Sequence, residues 1–517
     1  MSESLLPSRP IWRGDIVRTG RVQPYYRLVR GETEPHEVRR DLADGALAAD
    51  PRSLAHVAHL TDVQLLDVQS PSRLEAVHEL GRRAETALML PLQRPQELLA
   101  AHATDALVRR LNAVTGSPRT GAPLQLLLTT GDNVDNMQEN ETAAFLRLLD
   151  GGVVDLRSGG PAYEGAQDGS RDWAWAPEDP GSVWGRDHGF PTVPGLLSAA
   201  LEPLEVGGTR LPWLSCFGNH DGLVQGRVPA TPELRSLTLG HRKAAVVRAE
   251  DAAAFTQDPG PAYGDRSWSV TADERRRLMS RAEYVAAHFG RGRPQGHGFT
   301  QDNLARGTAY YAHDDLPGIR VVVLDTTNPA GIFEGSIDET QLDWLRDTLR
   351  DAAVEERLVV VASHHPRGSM TNDRESWGDV AGEGRRVLGD ELDRLLLEHP
   401  HVIAWVSGHI HRNRVTARPG RGGSGYWEIS TSSVMDWPTQ CRLIEILDHG
   451  DGLLSLLLTM VDHDGPVTPA DVDSVDGLAG WHRELAANDP FGVGGFDAHG
   501  TPGDRNVELL VRDPRRP

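Results

Sequence analysis

"LPWLSCFGNHDG" (Leu211–Gly222) runs seven mostly apolar residues into a glycine, then an amide, an imidazole and a carboxylate in a row. Continuous apolar character suits a strand covered on both faces. Glycine lets the backbone turn sharply where such a strand stops. Asn219, His220 and Asp221 then sit at the strand's carboxyl edge, where open α/β sheets place their ligands. Taken alone, the stretch reads equally well as a polar turn with an incidental histidine.

The same pattern recurs. "LAHVAHL" (Leu54–Leu60) leads into "TDVQ", "LQLLLTT" (Leu124–Thr130) into "GDNVDN", "RLVVVAS" (Arg357–Ser363) into "HHPRG", and "HVIAWVS" (His401–Ser407) into "GHIH". Helical spacing lies between some of these runs, in "PQELLAAHATDALVRRLNAV", "SIDETQLDWLRDTLRDA" and "GRRVLGDELDRLLLEHP". In the second of these, Ser336 and Glu339 stand at the spacing of a capping box. "IRVVVLDTT", "GYWEISTSS", "CRLIEIL" and "LLSLLLTMV" read as further strands, closing the core near Asp462. This alternation predicts a layered α/β domain.

The organisation expected is an irregular N-terminal arm over 1–50, a main domain over 51–465 and a C-terminal tail over 466–517. Two loop-rich stretches interrupt the rhythm, at about 151–210 and 223–309. Loops of such length in a compact domain are usually lids or binding surfaces, so both are expected to cap the site. Their scattered aromatics, among them Trp173, Trp175, Trp184 and Trp268, equally suit a satellite core.

The bulk composition narrows the function. A formal net charge of −21 over 517 residues argues against a broad nucleic-acid footprint, because phosphate backbones are bound by clustered Lys and Arg. Small phosphorylated substrates remain open, since a bound cation reverses the local field. Two cysteines, Cys216 and Cys441, cannot build a disulfide framework or a Cys-rich zinc site. No apolar run reaches the ~18 residues of a membrane span, and the first residues lack a hydrophobic signal core. A cytoplasmic location is expected, or an exported one if a leader has been removed. Nothing in the sequence sets an oligomeric state.

Five strand ends together offer Asp62 and Gln64, Asp132 and Asp135, Asn219 with His220 and Asp221, His364 with His365, and His409 with His411. Oxygen and imidazole donors without sulfur suit Mn, Fe, Zn or Mg. Two residues apart on an extended strand end, His409 and His411 can face the same side.

In this order the five motifs resemble the signature of the calcineurin-like metallophosphoesterases, D-x-H, G-D-x-x-D, G-N-H-D/E, H and G-H-x-H. Here they stand as "DVQ", "GDNVD", "GNHD", "SHHP" and "GHIH". The resemblance spans Leu54 to about Asp462, leaves both inserts unmatched, and is nearest to an actinobacterial branch with long inserts. It implies a four-layer α/β/β/α sandwich of two mixed sheets and two divalent metal ions, with Mn first and Fe, Zn or Mg as alternatives. Asp132 would bridge the ions. Asp62, Gln64 and His411 would complete one shell, and Asn219, His364 and His409 the other, with His365 an alternative to His364. His220 would act as general acid or leaving-group stabiliser, oriented by Asp221, and Asp135 matches a structural position. The implied activity is hydrolysis of a phosphate mono- or diester on a small substrate, by in-line attack of a metal-bound hydroxide. The competing expectations are a non-catalytic scaffold on the same fold, and a nuclease.

One position departs from that pattern. Gln64 stands where the family has histidine. A neutral amide oxygen is a harder and weaker ligand than imidazole, so the Gln64 site should be the looser and prefer Mn or Mg. Alternatively, Gln64 does not ligate.

Overall fold

The computed structural model describes residues 9–516, apart from 85, 87, 88, 265, 379 and 383. Two mixed sheets form its centre. The seven-stranded sheet runs in the order Glu37–Arg39, Val507–Arg512, Leu453–Asp462, Gln440–Gly450, Arg52–Leu60, Leu126–Thr129 and Trp213–Leu214. Its last three strands are mutually parallel, and Gln440–Gly450 joins them antiparallel to Arg52–Leu60. The six-stranded sheet runs Tyr311–His313, Ile319–Val323, Leu358–Ala362, Val402–Ser407, Gly425–Ser430 and Arg414–Pro419, with a parallel centre and antiparallel edges.

Strand side chains alternate between faces, and the apolar runs use both. Leu126 and Leu128 point inward and pack with Val321, Val323, Val360 and Ala362 of the facing sheet. Leu127 points outward beneath the helices Ala100–Asn112 and Glu139–Asp150. Val322, Val359 and Val361 point outward on the other side, beneath Glu339–Val354 and Gly389–Leu397. Helix, sheet, sheet and helix are thus the four layers, as the resemblance implied.

Two local expectations are corrected. The helix expected to start at Ser336 begins at Glu339. Its cap is Asp338, whose carboxylate accepts from Gln341 N at 2.8 Å. Ser336 is buried instead, accepting from Arg386 Nε at 2.9 Å. Nor does the core close near Asp462, because Val507–Arg512 enters the seven-stranded sheet between Glu37–Arg39 and Leu453–Asp462. Its residues Val507, Leu509 and Val511 are buried between the sheets.

Both chain ends pack on one side. The N-terminal hairpin Ile11–Thr19/Pro24–Arg30 and the helix Val475–Asn488 enclose Trp175, Trp184 and Phe190 of the first insert with Tyr25, Leu478 and Leu485. The second insert packs Leu223, Val228, Phe255 and Tyr263 against Leu74, Val77 and Met89. Most of the inserts' aromatics therefore build satellite cores. Cys216 and Cys441 are buried free thiols. Among the described residues, no helix is long and apolar enough to cross a membrane.

Candidate metal centre

Parallel strands from both sheets end at one edge, and there the five motifs meet. Close backbone approach makes this possible. A β-carbon at Gly218 would collide with the backbone and carboxylate of Asp132, and one at Gly408 with Thr61 and Asp62. Asp62, Gln64, Asp132, His409 and His411 all have φ between 49° and 67°, the left-handed region that side-chain-bearing residues rarely adopt. Such strain, on the order of 1–3 kcal/mol per residue, persists where surrounding structure over-determines the backbone, and it clusters at functional sites.

Asp132 stands at the middle. Its Oδ1 lies 3.1 Å from His364 Nε2 and accepts from His220 N at 2.7 Å. Its Oδ2 faces the other way, 3.4 Å from Gln64 Nε2. On the Gln64 side, His411 Nε2 lies 3.2 Å from Asp62 Oδ1 and 3.1 Å from Gln64 Nε2. On the His364 side, His409 Nδ1 lies 3.0 Å from Asn219 Oδ1 and 3.3 Å from His364 Nε2. The donor atoms of Asp62, Asp132 and His364 fall within 4.8 Å of one another, as do those of His364, His365 and His409.

Supporting bonds set which atom of each side chain faces inward. His364 Nδ1 donates to Thr130 O at 2.7 Å, so Nε2 is left to face Asp132. Asn219 Nδ2 donates to Gln225 O at 3.0 Å, which turns Oδ1 toward His409. His411 Nδ1 is held 2.7 Å from Asp436 Oδ2, and Asp436 is gripped in turn by Arg94 Nε at 2.7 Å. Both ring nitrogens of His365 are occupied, Nδ1 by Thr326 Oγ1 at 2.7 Å and Nε2 by Phe333 O at 2.8 Å. His364 therefore has the inward-facing nitrogen of the pair.

The expectation for Asp221 is corrected. Its carboxylate does not hold the His220 ring. It accepts backbone N–H groups from Asn133, Val134 and Gly218, tying the second motif to the third. His220 Nδ1 is held by Asp135 Oδ1 at 2.8 Å. A carboxylate one residue along the strand end is committed to the turn, whereas the "GDNVD" loop brings Asp135 across to the ring.

The electrostatics are those of a place made for cations. Burial alone would drive His364 and His411 to the neutral form, yet Asp132 beside the first and Asp62 and Asp436 beside the second raise both to about 9. Burial opposes the charge of Asp132 too, but the His220 and His364 imidazoles hold it far below the usual carboxylate range. With few facing negative charges to offset burial and the neighbouring His365 and His364, His409 is pushed well down. Gln64 Oε1 is buried with no hydrogen-bond partner. A buried amide oxygen without a donor is costly, and a cation would satisfy it. The oxygen and imidazole donors gathered here therefore fit divalent metal ions.

This centre opens into a cavity of about 500 Å³ lined by Asp132, Asn219, His220, His409 and His411, and by Arg94, Arg227, Phe333 and Thr371. Of the two inserts, the second supplies Gln225 and Arg227, and none of the described residues of 151–210 lines it. Asp436, Arg94, Gln225 and Arg227 escaped the sequence reading because they lie outside every motif, in segments brought in only by the fold.

Residues 187–413 match the family model of the calcineurin-like phosphoesterases. Over 125 residues the chain is 27% identical to the manganese-dependent ADP-ribose/CDP-alcohol diphosphatase of Xenopus laevis, covering 23% of this chain and 32% of the relative. It is 34% identical over 93 residues to the 3',5'-cyclic adenosine monophosphate phosphodiesterase CpdA of Escherichia coli (strain K12), covering 18% and 30%. The chain thus spans about a third of the length of these curated relatives. Among solved structures it is similar to a dimetal phosphatase from Danio rerio, at 12% identity and a TM-score of 0.39, over 80% of this chain and 100% of that one. By its family-model match over residues 187–413, its relatives and its five strand-end motifs, the chain is similar to the calcineurin-like phosphoesterases.

Proposed function

We propose that the protein is a metal-dependent phosphoesterase that hydrolyses a phosphate mono- or diester on a small molecule. The observation that carries this reading is Asp132, whose two oxygens face His364 on one side and Gln64 on the other. One carboxylate is thereby offered to two positions. Asp62, Gln64, Asp132 and His411 would hold one ion, and Asp132, Asn219, His364 and His409 the other, with Mn first and Fe, Zn or Mg as alternatives. Bound there, two divalent ions would supply Lewis acidity and a nucleophile at neutral pH.

The chain's own residues do the rest. His220 lines the cavity beside Asp132, with Nδ1 fixed by Asp135, so Nε2 is the nitrogen that addresses the substrate. It donates a proton, or a hydrogen bond, to the departing oxygen. Asp135 keeps the ring in that tautomer. Asp221 holds the loop that carries Asn219 and His220 at the right distance from Asp132. A cavity of about 500 Å³ suits a small ligand, and the net charge of −21 does not favour a nucleic-acid partner.

The test is hydrolysis of p-nitrophenyl phosphate against bis-p-nitrophenyl phosphate, on chelated protein with Mn, Mg, Zn or Fe restored, beside a His220→Ala control. Metal-dependent turnover that drops about 100-fold or more in the control is expected. Protein that binds two ions and turns over neither ester would refute the reading as a general phosphoesterase. Failure to bind metal at all would favour a scaffold.

A further inference from the structure

Beyond the metal centre, the same cavity contains a cation that none of the five motifs supplies. Arg227 is 6% exposed and lines the cavity with Asp132, His220 and His409. Its Nη1 donates to Gln225 Oε1 at 2.6 Å and its Nη2 to Met89 O at 3.3 Å, both neutral acceptors. The guanidinium lies over the Phe333 ring, 5.1 Å from its centroid. An aromatic face orients a guanidinium while leaving its charge in place.

The position is built deliberately. Val224, Gln225 and Gly226 are successive left-handed residues, with φ of 47°, 58° and 76°. A β-carbon on Gly226 would crowd Asn219, so the loop folds back against the metal-facing amide. Gln225 is the hinge of this arrangement. Its Nε2 donates to both oxygens of Asp135, at 3.1 and 3.3 Å, while its Oε1 accepts from Arg227. One continuous chain of hydrogen bonds thus runs from His220 through Asp135 and Gln225 to Arg227. Burial lowers Arg227 to about 10 although Asp135, Glu334 and Asp132 all pull the other way.

We propose that Arg227 is a specificity-determining residue that binds a second anionic group of the substrate, a phosphoryl or a carboxylate, next to the phosphoryl group that the metal centre attacks. This inference rests on the phosphoesterase reading for its site. It selects, among phosphate esters, those that carry another negative charge within reach of the pocket. Phe333 and Gln225 hold the guanidinium ready, so that no side-chain reorganisation is needed on binding.

The test is binding by calorimetry to the Mn-loaded protein, which does not depend on turnover. The probes are ethyl phosphate, 2-phosphoglycolate, which adds a carboxylate, and ethyl diphosphate, which adds a phosphoryl. At least one of the two doubly anionic probes should bind about tenfold or more tightly than ethyl phosphate, and the better one identifies the group. Arg227→Met should erase that preference to within about threefold while leaving ethyl phosphate affinity nearly unchanged, and Arg227→Lys should restore part of it. Three results would overturn the proposal: no preference in the wild type, equal weakening of all three probes by Arg227→Met, or a preference that survives it. A protein inert toward every ester yet showing the Arg227-dependent preference would instead count against the hydrolytic reading alone.

Discussion

Asp135 Oδ1 lies 2.8 Å from His220 Nδ1, and this carboxylate, rather than the adjacent Asp221, orients the imidazole. Burial would raise the Asp135 carboxyl, but the bond to His220, aided by Arg73 and Arg94, holds it below the usual range. It is therefore ionised when His220 needs it.

The two aspartates should separate on mutation. Asp135→Ala is expected to lower kcat by about 10²-fold or more with little change in metal content, the range for losing an oriented acid–base group. Asp221→Ala should instead destabilise the fold by roughly 1–3 kcal/mol, because it strands buried N–H donors of Asn133, Val134 and Gly218. Parallel kinetics and thermal melts decide between them; a kcat loss confined to Asp221→Ala would reverse the assignment.

Gln64 should make the two ion positions unequal. Mn titration of the chelated protein is expected to show two steps. Gln64→His should tighten the weaker step by about tenfold, or about 1.4 kcal/mol, and Gln64→Ala should weaken it without touching the stronger one. Identical titrations for wild type and Gln64→Ala would mean that the buried Oε1 faces no ion.

His411 depends on a residue that no motif contains. Asp436 holds its Nδ1 at 2.7 Å and is itself clamped by Arg94. Asp436→Asn is expected to cost about 10–100-fold in metal affinity or activity, as carboxylates behind metal-ligating histidines do. Raising the Mn concentration should recover much of the lost rate. Loss that no metal concentration recovers would place Asp436 in folding rather than in metal holding.

Stability should carry a pH signature away from the site. Burial raises Glu484 to about 7 against the weaker opposing bond from Tyr25 Oη at 3.1 Å, and burial raises Asp489 to about 7 as well. The folded state then binds more protons than the unfolded chain between about pH 4.5 and 7. This contribution is fully present below the unfolded pKa and is lost as pH rises through 7. Glu484→Gln should remove it, so the variant gains on the wild type by roughly 1–3 kcal/mol between pH 5 and 8. Melting curves of both proteins across that range would show it; parallel curves would contradict it.

Much of this molecule is legible in its sequence. Apolar runs such as "LQLLLTT" and "RLVVVAS", followed by Gly131 and by His364, mark strands buried on both faces, because such strands carry apolar residues consecutively rather than in alternation. Residues that act through local geometry were equally visible: Asp132 after Gly131, Asn219 after Gly218, and His409 with His411 two apart. A strand end and its turn are set by neighbours in sequence, so the motif itself carries the information.

What the tertiary structure alone decided is which of these groups face each other and what stands behind them. The motifs pair Asp221 with His220 and leave Asp135 a structural position, yet side-chain direction gave the first to the backbone and the second to the ring. Asp436 and Arg227 reach the centre from segments without any signal, 25 residues beyond His411 and seven beyond His220. Val507–Arg512 enters the sheet from what reads as a Gly- and Asp-rich tail. Each depends on packing between residues distant along the chain. Hydrogen-bond partnership is fixed by where backbones pass in space, a quantity that local composition and periodicity do not encode.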